Sequence, residues 1–392
     1  MKLKELGTIV TGNTPSKQSV ENWDSPDIGF VKPDIISDTG ISIIDDAAEY
    51  ISEKARAKAR IVGENSILIT CIGSIGKIGI TAKGTFAFNQ QINAIIPNRK
   101  VNSKYLAYAL LYAKPRLVAI ANAPVVPIIN KSQFGDFEIK VTENTEYQSK
   151  AVEVLDTVNA IIENRRQQLQ KLDELVKARF VEMFGDPVGN TKAYYVATLQ
   201  ELICKGYITY HLDGNHGGDY PKSDEFVEAG IPYISANCIV NGEVDFSKAK
   251  YLTLERANKL RKGIAQNGDV LFAHNATVGP TVVLHTTKEK VILGTSLTAY
   301  RCNKEKILPS YLKTYMLSDG FIRQYSNEMK QTTRNQVPIT AQKKYLFLIP
   351  PIGLQNQFAT FVNQVDKSKV AVQKSLDEAQ LLFDSLMQQY FG

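Results

Sequence analysis

The sequence contains few of the residues that hold a fold together through covalent bonds or metal ions. Its 392 residues include four cysteines and four histidines. The cysteines lie far apart without a Cys-x-x-Cys pair, and the histidines show no His-Glu-x-x-His spacing. Because disulfide frameworks and zinc sites need such spacings, we predict neither. The histidines are expected to be ordinary core or surface residues.

Long apolar segments are missing as well. No stretch reaches the ~18 consecutive apolar residues that a membrane-spanning helix requires. The first seven residues include Lys2, Lys4 and Glu5 and lack the apolar centre of a signal peptide, so a cytoplasmic location is expected. Hydrophobic residues make up 44% of the chain, which is enough for cores in roughly two to four domains.

The chain also has only a small excess of positive over negative charge, with a formal net charge of +6. This excess is unevenly placed, however. Residues 1–145 and 186–350 carry net charges of +3 and +5, whereas residues 146–185 and 351–392 carry −1 each. Two basic blocks favour a polyanionic partner, although so small an excess is equally consistent with solubility alone.

What the chain does contain is an internal duplication, which is visible when the sequence is compared with itself. Residues 148–185 align with residues 355–392 without a gap, and both segments end in Phe-Gly. Upstream, residues 66–76 match residues 269–279, where a short apolar run leads into a polar loop. Two further matches pair Tyr105-Leu106 with Tyr311-Leu312, and Phe137 and Ile139 with Phe347 and Ile349.

Residues 148–185 and 355–392 both have apolar residues at alternating spacings of three and four, which is the heptad pattern of a coiled coil. Each is predicted to be a helix of about 40 residues, ~60 Å long. A pair of helices in one globular core is the alternative, but the polar residues off the seam favour a coiled coil. The first seam is expected to continue to Arg179 and Met183. The predicted seam residues are Leu155, Val158, Ile162, Leu169, Leu172 and Val176 in the first helix, and Val362, Val365, Val372, Leu376, Phe383 and Leu386 in the second.

Connection lengths restrict how these segments can be arranged. A parallel pair of helices would need a linker as long as a helix, and none exists, so we predict an antiparallel pair with the two domains at its opposite ends. The predicted fold class is α+β, with two similar α/β domains related by a pseudo-two-fold repeat. The predicted segments are a first domain over residues 1–145, a helix over 146–185, a second domain over 190–350 and a helix over 353–392.

Two similar basic domains held at a fixed separation suit a target with two half-sites on duplex DNA, about one helical turn apart. Because the two domains differ in their residues, the half-sites are expected to differ in sequence. A two-headed protein-interaction scaffold is the alternative, and salt-sensitive duplex binding would distinguish the two functions.

Short motifs occur in a characteristic order along both halves. The first half carries Gly12-Asn13-Thr14-Pro15-Ser16, residues 73–77 (Gly-Ser-Ile-Gly-Lys) and Asn89-Gln90-Gln91, and the second carries residues 213–217 (Asp-Gly-Asn-His-Gly), residues 230–234 (Gly-Ile-Pro-Tyr-Ile) and Pro350-Pro351 before Gln355. In this order, the whole chain resembles the specificity (S) subunit of type I restriction-modification systems. One departure is that residues 140–148, the first junction, lack the Pro-Pro pair.

The resemblance implies two target-recognition domains and no catalytic centre in this chain. It also implies that the chain binds double-stranded DNA together with two methyltransferase (M) subunits and with restriction (R) subunits. Adenine methylation with S-adenosylmethionine, and cleavage with ATP and Mg, would belong to those partner subunits. A DNA-reading subunit of another restriction class is a further alternative.

Base reading requires amide, hydroxyl and basic side chains in loops at a groove edge. The same residue types also make ordinary turns, for example at residues 12–16. Residues 71–78 are no phosphate-binding loop, because Cys71 replaces the first Gly and Ile78 the hydroxyl residue. The candidate DNA contacts are Asn13, Thr14, Ser16, Lys17, Lys32, Ser74, Lys77, Gln90, Asn130 and Lys131 in the first domain, and Asn215, His216, Tyr220, Lys222, Asn237, His274, Asn275, Thr277, Arg334 and Asn335 in the second.

Overall fold

A computed structural model describes residues 1–121, 126–187, 189–215, 219–329 and 335–392. The chain divides into two compact units. The first combines Met1–Arg166 with Lys374–Gly392, and the second comprises Gln167–Gln373. Each unit therefore contains a part of both long helices.

The first unit has two sheets, one with strand order β1-β9-β6-β7-β3 and one with order β4-β2-β8-β5. Leu68 and Phe88, from different sheets, are fully buried in one apolar cluster between them. The helices are α1 (Leu3–Leu6), α2 (Ser103–Ala119), α3 (Lys131–Asp136) and the long helix α4 (Thr145–Phe184), which continues into the second unit. The strands are β1 (Gly7–Thr11), β2 (Ile28–Val31), β3 (Ile41–Ile44), β4 (Glu49–Ile51), β5 (Ile61–Val62), β6 (Ile67–Thr70), β7 (Ile78–Thr81), β8 (Phe86–Phe88) and β9 (Ile92–Pro97).

The second unit repeats this design with small additions. Its helices are α5 (Leu199–Cys204), α6 (Leu254–Lys259), α7 (Pro309–Met316), α8 (Asp319–Met329), α9 (Ile339–Gln342) and the long helix α10 (Ile352–Phe391), which continues into the first unit. Its strands are β10 (Tyr195–Thr198), β11 (Ile208–Asp213), β12 (Phe226–Val227), β13 (Ile231–Ile234), β14 (Ile239–Val240), β15 (Glu243–Val244), β16 (Lys250–Leu252), β17 (Ile264–Ala265), β18 (Val270–Ala273), β19 (Thr281–Val283), β20 (Val291–Leu293), β21 (Leu297–Cys302) and β22 (Leu346–Ile349).

Sheet topology confirms the internal repeat. The order β11-β21-β18-β19 in the second unit corresponds to β1-β9-β6-β7 in the first, and β16-β13-β20-β17 corresponds to β4-β2-β8-β5. The units differ where β3 extends the first sheet, because the second unit instead forms a separate hairpin of β14 and β15. The predicted fold class, two similar α/β domains accompanied by two long helices, is confirmed.

The predicted pairing of the last strand of each repeat is wrong by two residues. The amide of Leu3 donates to the carbonyl of Phe137 (3.1 Å), and the amide of Leu199 donates to the carbonyl of Tyr345 (3.0 Å). Phe137 therefore corresponds to Tyr345 and not to Phe347. A shift of two residues leaves the same strand face buried, so alternation of apolar residues cannot detect it.

The long helices run antiparallel within each unit, as predicted. In the first unit, Nε of Arg165 donates to Oγ of Ser375 (3.1 Å), while the ring of Tyr147 lies 5.7 Å from that of Tyr390. In the second unit, Lys369 forms an ion pair with Asp173, and the Arg179 guanidinium lies over the Phe361 ring. Residue numbers fall along α10 as they rise along α4, which defines the antiparallel direction.

The predicted seam residues all lie on covered faces. Leu155, Val158, Ile162, Val365 and Phe383 are buried, and the other seven are half-buried. Beyond Val176, however, the buried positions of α4 are Phe180 and Phe184, one residue later than Arg179 and Met183. There α4 packs on the aromatic core of the second domain, and its buried face follows the 3.6-residue period of a straight helix.

Each long helix is tied to its domain by a buried glutamine. The Gln148 side chain donates to the carbonyls of Lys100 (2.9 Å) and Thr142 (2.7 Å) and accepts from the amide of Asn102 (2.7 Å). The first junction therefore has the same bonds as the second, although it lacks the Pro-Pro pair. Gln355 makes the equivalent bonds with the carbonyls of Lys306 and Pro350 and with the amide of Leu308.

Candidate nucleic-acid interface

In each unit, several loops meet at one end of one sheet, which contains β1 in the first unit and β11 in the second. Strands β1, β9, β6 and β7 pair antiparallel in that order, so the ends of β1 and β6 lie beside the starts of β9 and β7. This places residues 12–17, 71–77 and 89–91 together, and we call them the first loop edge. Strands β11, β21, β18 and β19 pair in the same way and bring together residues 213–215, 274–280 and 294–296, the second loop edge.

The centre of each loop edge is a six-residue loop with the same backbone in both units. We call residues 71–76 the first tip loop and residues 274–279 the second. Their third residues, Gly73 and Ala276, have φ of 77° and 64°, and their sixth residues, Gly76 and Gly279, also have positive φ. Left-handed backbone at these two positions turns the chain sharply, so the fourth residue of each loop, Ser74 or Thr277, is exposed at the tip.

A second segment of each unit holds its tip loop in place. In the first unit, the amide of Gly73 donates to the carbonyl of Pro127 (3.0 Å). In the second, the amide of Ala276 donates to the carbonyl of Asn335 (3.0 Å), and the amide of Val337 donates to the carbonyl of His274 (2.8 Å). The exposed Asn335 side chain is thereby placed beside the exposed tip of the second loop.

Exposed polar side chains gather around the first tip loop. Thr14 and Gln90 are exposed and share a hydrogen bond between Oγ1 and Oε1 (2.8 Å). Lys32 lies at the end of β2, beside the loop of Gln90, and forms an ion pair with Glu49, whose pKa is lowered mainly by that hydrogen bond. Lys17 also approaches Glu49, at 3.6 Å. Two ammonium groups thus share one carboxylate, which leaves a positive excess. Glu49 was not among the residues predicted from the sequence.

Two of the predicted contacts, Asn13 and Asn215, serve the fold. The Asn13 amide donates to the carbonyl of Lys58 (2.7 Å) and accepts from the amide of Arg60 (2.7 Å). Asn215 is only 2% exposed and donates to the carbonyl of Lys262 (2.6 Å). The matching Gly-Asn motifs of the two halves therefore hold a neighbouring segment against the sheet.

Three other predicted contacts are covered or occupied. His274, the first residue of the second tip loop, is only 1% exposed. The side chain of Lys77 is 12% exposed and forms an ion pair with Asp38 (3.1 Å). Asn130 is exposed but caps α3, where its side chain accepts from the amide of Gln133 (2.9 Å). These geometries favour supporting roles over direct contact with a ligand.

The remaining predicted contacts differ in exposure. His216 and Arg334 lie outside the described residues. Asn275 is half-buried and forms a β-bridge with Gln336. Exposed side chains available to a ligand are those of Ser16, Lys17, Lys131, Tyr220, Lys222 and Asn237, in addition to those already described.

Cys71, the only cysteine in the two loop edges, is buried at the base of the first tip loop. Burial raises the pKa of its thiol to about 12, so it stays protonated at neutral pH. Within the described ranges, no group of three or more His, Cys, Asp or Glu side chains could hold a metal ion. Over those same ranges, no helix has both the length and the apolar character needed to cross a membrane.

Comparison with known proteins agrees with this architecture. Residues 1–174 and 211–379 match the model of the type I restriction modification DNA specificity domain. The MjaIX type I restriction enzyme specificity subunit of Methanocaldococcus jannaschii is 23% identical over 398 residues, covering 98% of this chain and 90% of that protein. The HindI specificity subunit of Haemophilus influenzae is 29% identical over 188 residues, covering 46% of this chain and 40% of its own.

Solved structures show the same fold. The S subunit of a type I restriction-modification system from M. genitalium superposes with a TM-score of 0.56 at 16% identity, over 100% of this chain and 95% of that one. A chain from a structure of complex assembly in a type I system has a TM-score of 0.53 at 15% identity, over 100% and 96%. Because the family model covers most of the sequence in two copies, the chain belongs to the type I restriction modification DNA specificity domain family.

Proposed function

We propose that this chain is the specificity subunit of a type I restriction-modification complex and reads an asymmetric DNA target with two half-sites. Each domain contacts one half-site through its loop edge. The observation that carries this proposal is the repeated tip loop, which has one backbone but different side chains. Ser74, Ile72 and Lys77 occupy the positions of Thr277, Asn275 and Pro280. One scaffold with two sets of side chains suits two half-sites of unlike sequence.

The chain itself is proposed to be non-catalytic and to act in the cytoplasm. Two methyltransferase subunits would supply adenine methylation and bind S-adenosylmethionine, and restriction subunits would supply cleavage with ATP and Mg. This division of labour fits the side chains of the two loop edges. They offer hydroxyl, amide and ammonium groups, which recognise DNA through hydrogen bonds and phosphate contacts.

Mapping of methylated adenines tests the proposal. The full chain is expressed with its cognate methyltransferase subunits, and genomic adenine methylation is sequenced. We expect a split motif with two unlike half-sites separated by a fixed unspecified gap. Absence of new methylation, with the partner shown to be assembled and active on another specificity subunit, would contradict the proposal and favour the protein-interaction scaffold.

A further inference from the structure

A network of buried hydrogen bonds, which was not predicted from the sequence, lies below the second tip loop. At its centre is Gln342, the last residue of α9, which is fully buried. Its Oε1 accepts from the hydroxyl of Tyr300 (2.6 Å) and lies 3.1 Å from Nε2 of His211. Its Nε2 donates to Oγ1 of Thr298 (3.1 Å) and to the carbonyl of Val337 (3.2 Å). All four bonding positions of this amide are therefore occupied.

This network of hydrogen bonds extends from Gln342 to the second tip loop. Because Oγ1 of Thr298 accepts from Gln342, its own hydrogen is free to bond Nδ1 of His274, 2.8 Å away. His274 is the first residue of the second tip loop, and its carbonyl accepts from the amide of Val337. Gln342 thus holds both segments that form the exposed tip, one directly through Val337 and the other through Thr298. Buried amides of this kind fix one arrangement, because any other leaves a polar group unpaired.

The first domain has no counterpart of the central Gln342, and strand pairing shows the equivalent positions. Asn93 corresponds to Thr298, and Ile95 and Ile9 correspond to Tyr300 and His211, because the same pairs face each other across matching strands. Phe134, whose amide donates to the carbonyl of Asn130 just as that of Gln342 donates to Pro338, occupies the position of Gln342. Three of these four positions are therefore apolar in the first domain, and the fourth is Asn93, which is buried and accepts from Oγ1 of Thr11 (2.6 Å).

We propose that Thr298 and Gln342 are positioning residues for sequence discrimination by the second domain. They hold residues 274–279 and 335–337 in the one arrangement that presents Thr277, Asn275 and Asn335 to a half-site. This inference rests on the proposed function. The first domain folds with apolar residues at three of the four equivalent positions, so the buried hydrogen-bond network of the second domain is expected to serve the precision of the loops above it.

The test compares three substitutions in the full chain, assembled with its cognate methyltransferase subunits. Thr298→Val removes the hydroxyl but keeps the shape of the side chain, and Thr298→Ser restores the hydroxyl. The matched control is Thr81→Val in the first unit. Thr81 is 1% exposed, and its hydroxyl bonds the carbonyl of Gly63 (2.7 Å) and the amide of Ser66 (3.0 Å) at the end of β7 far from the tip loop. Methylation is measured on plasmid libraries in which each base pair of the motif is varied.

We expect Thr298→Val to reduce discrimination at one half-site by about tenfold and to leave the other half-site unchanged. Thr298→Ser and Thr81→Val should discriminate like the unaltered chain. The proposal is overturned if Thr298→Val lowers methylation of every library member equally, as a general loss of stability would, or relaxes both half-sites. If the unaltered chain yields no split motif, the proposed function fails before any variant is compared.

Hydrogen exchange provides a second measurement on the same complexes. In the Thr298→Val protein, the amides of Ala276 and Val337 should exchange faster, whereas the amide of Gly73 in the first tip loop should not. If the valine variant does not assemble, Thr298→Cys keeps a weak donor at this position and should show the same selective change to a smaller degree. Unchanged exchange at Ala276 and Val337 in the variant would contradict the proposal.

Discussion

The two domains support one loop by two different means. In the first domain, the segment whose Pro127 carbonyl bonds the tip loop leads into a capping box at the start of α3, in which Asn130 and Gln133 each accept from the other's backbone amide. In the second, Pro338 stands at the cap position without a side-chain bond, and Gln342 holds Val337 from inside. The same loop backbone is thus supported by different side chains in the two domains. The two halves can therefore diverge in sequence without losing the scaffold that presents their loops.

The largest effect is expected at a position where the two units are alike. Replacing Gln148 or Gln355 with Leu should lower the free energy of unfolding by about 3–5 kcal/mol, because three buried backbone groups lose their partner. Trp23 is the only tryptophan and lies in the first unit, so its fluorescence reports on Gln148→Leu during urea unfolding. Circular dichroism reports on Gln355→Leu.

The control for this prediction is Gln170→Leu on α4, where an exposed amide bonds Glu174. Its effect should stay within about 0.5 kcal/mol. A loss of less than about 1 kcal/mol for Gln148→Leu or Gln355→Leu would show that these glutamines do not anchor the helices.

The next prediction tests where the interiors differ. Burial lowers the pKa of His211 to about 4, against an ordinary value near 6.5, although the bond to Gln342 acts in the opposite direction. Since the unfolded chain then takes up a proton that the folded chain refuses, stability is lost as the pH falls from about 6.5 to about 4. The loss should approach ~3 kcal/mol.

Urea unfolding at pH 7, 6 and 5 checks this prediction. The urea midpoint measured by circular dichroism should fall more steeply with decreasing pH than the midpoint measured by Trp23 fluorescence, because Ile9 occupies the position of His211 in the first domain. His211→Ile should make the two midpoints depend on pH with the same slope. Equal slopes in the unaltered chain would argue against a neutral buried His211.

A smaller effect should separate two lysines that the sequence alone treats alike. Lys222 is exposed, whereas the Lys77 ammonium is held by Asp38. For duplex binding by the assembled complex, Lys222→Ala should reduce the slope of log affinity against log salt by about 1, because one phosphate contact is lost. Lys77→Ala should leave the slope unchanged. The reverse result would mean that Asp38 releases Lys77 when DNA binds.

The smallest effects should come from the third residue of each tip loop. Gly73→Ala should destabilise the chain by about 1 kcal/mol, because φ is 77° and an added Cβ meets nothing within 4 Å to compensate. Ala276→Gly is the reverse substitution on the same backbone and should stabilise the chain by a similar amount, about 1 kcal/mol, because glycine relieves the strain at φ 64°. Urea unfolding measures both, and two effects of the same sign would show that the two loops differ in backbone.

The fold was largely predictable, and the candidate site was predictable only in outline. The repeat and the loops that end in Gly76 and Gly279 follow from local patterns of apolar residues and glycine, and the antiparallel direction of the helices follows from the short connections between segments. The roles of individual loop residues do not, because Asn, Thr and Lys occur both in turns and in binding sites. Thus Thr14 and Gln90 are exposed together, while Asn215 and His274 from the same kinds of motif are buried.

Apolar periodicity and self-similarity along the chain are sufficient to predict a duplicated α/β protein with two long helices. Which polar residues face outward, and which support them, depends on how the strands and helices pack. The pairing of Gln342 with Thr298, and of Thr298 with His274, joins residues that are 44 and 24 positions apart in the chain. No local pattern marks such bonds, since they exist only after the strands have paired and water has been excluded from between them.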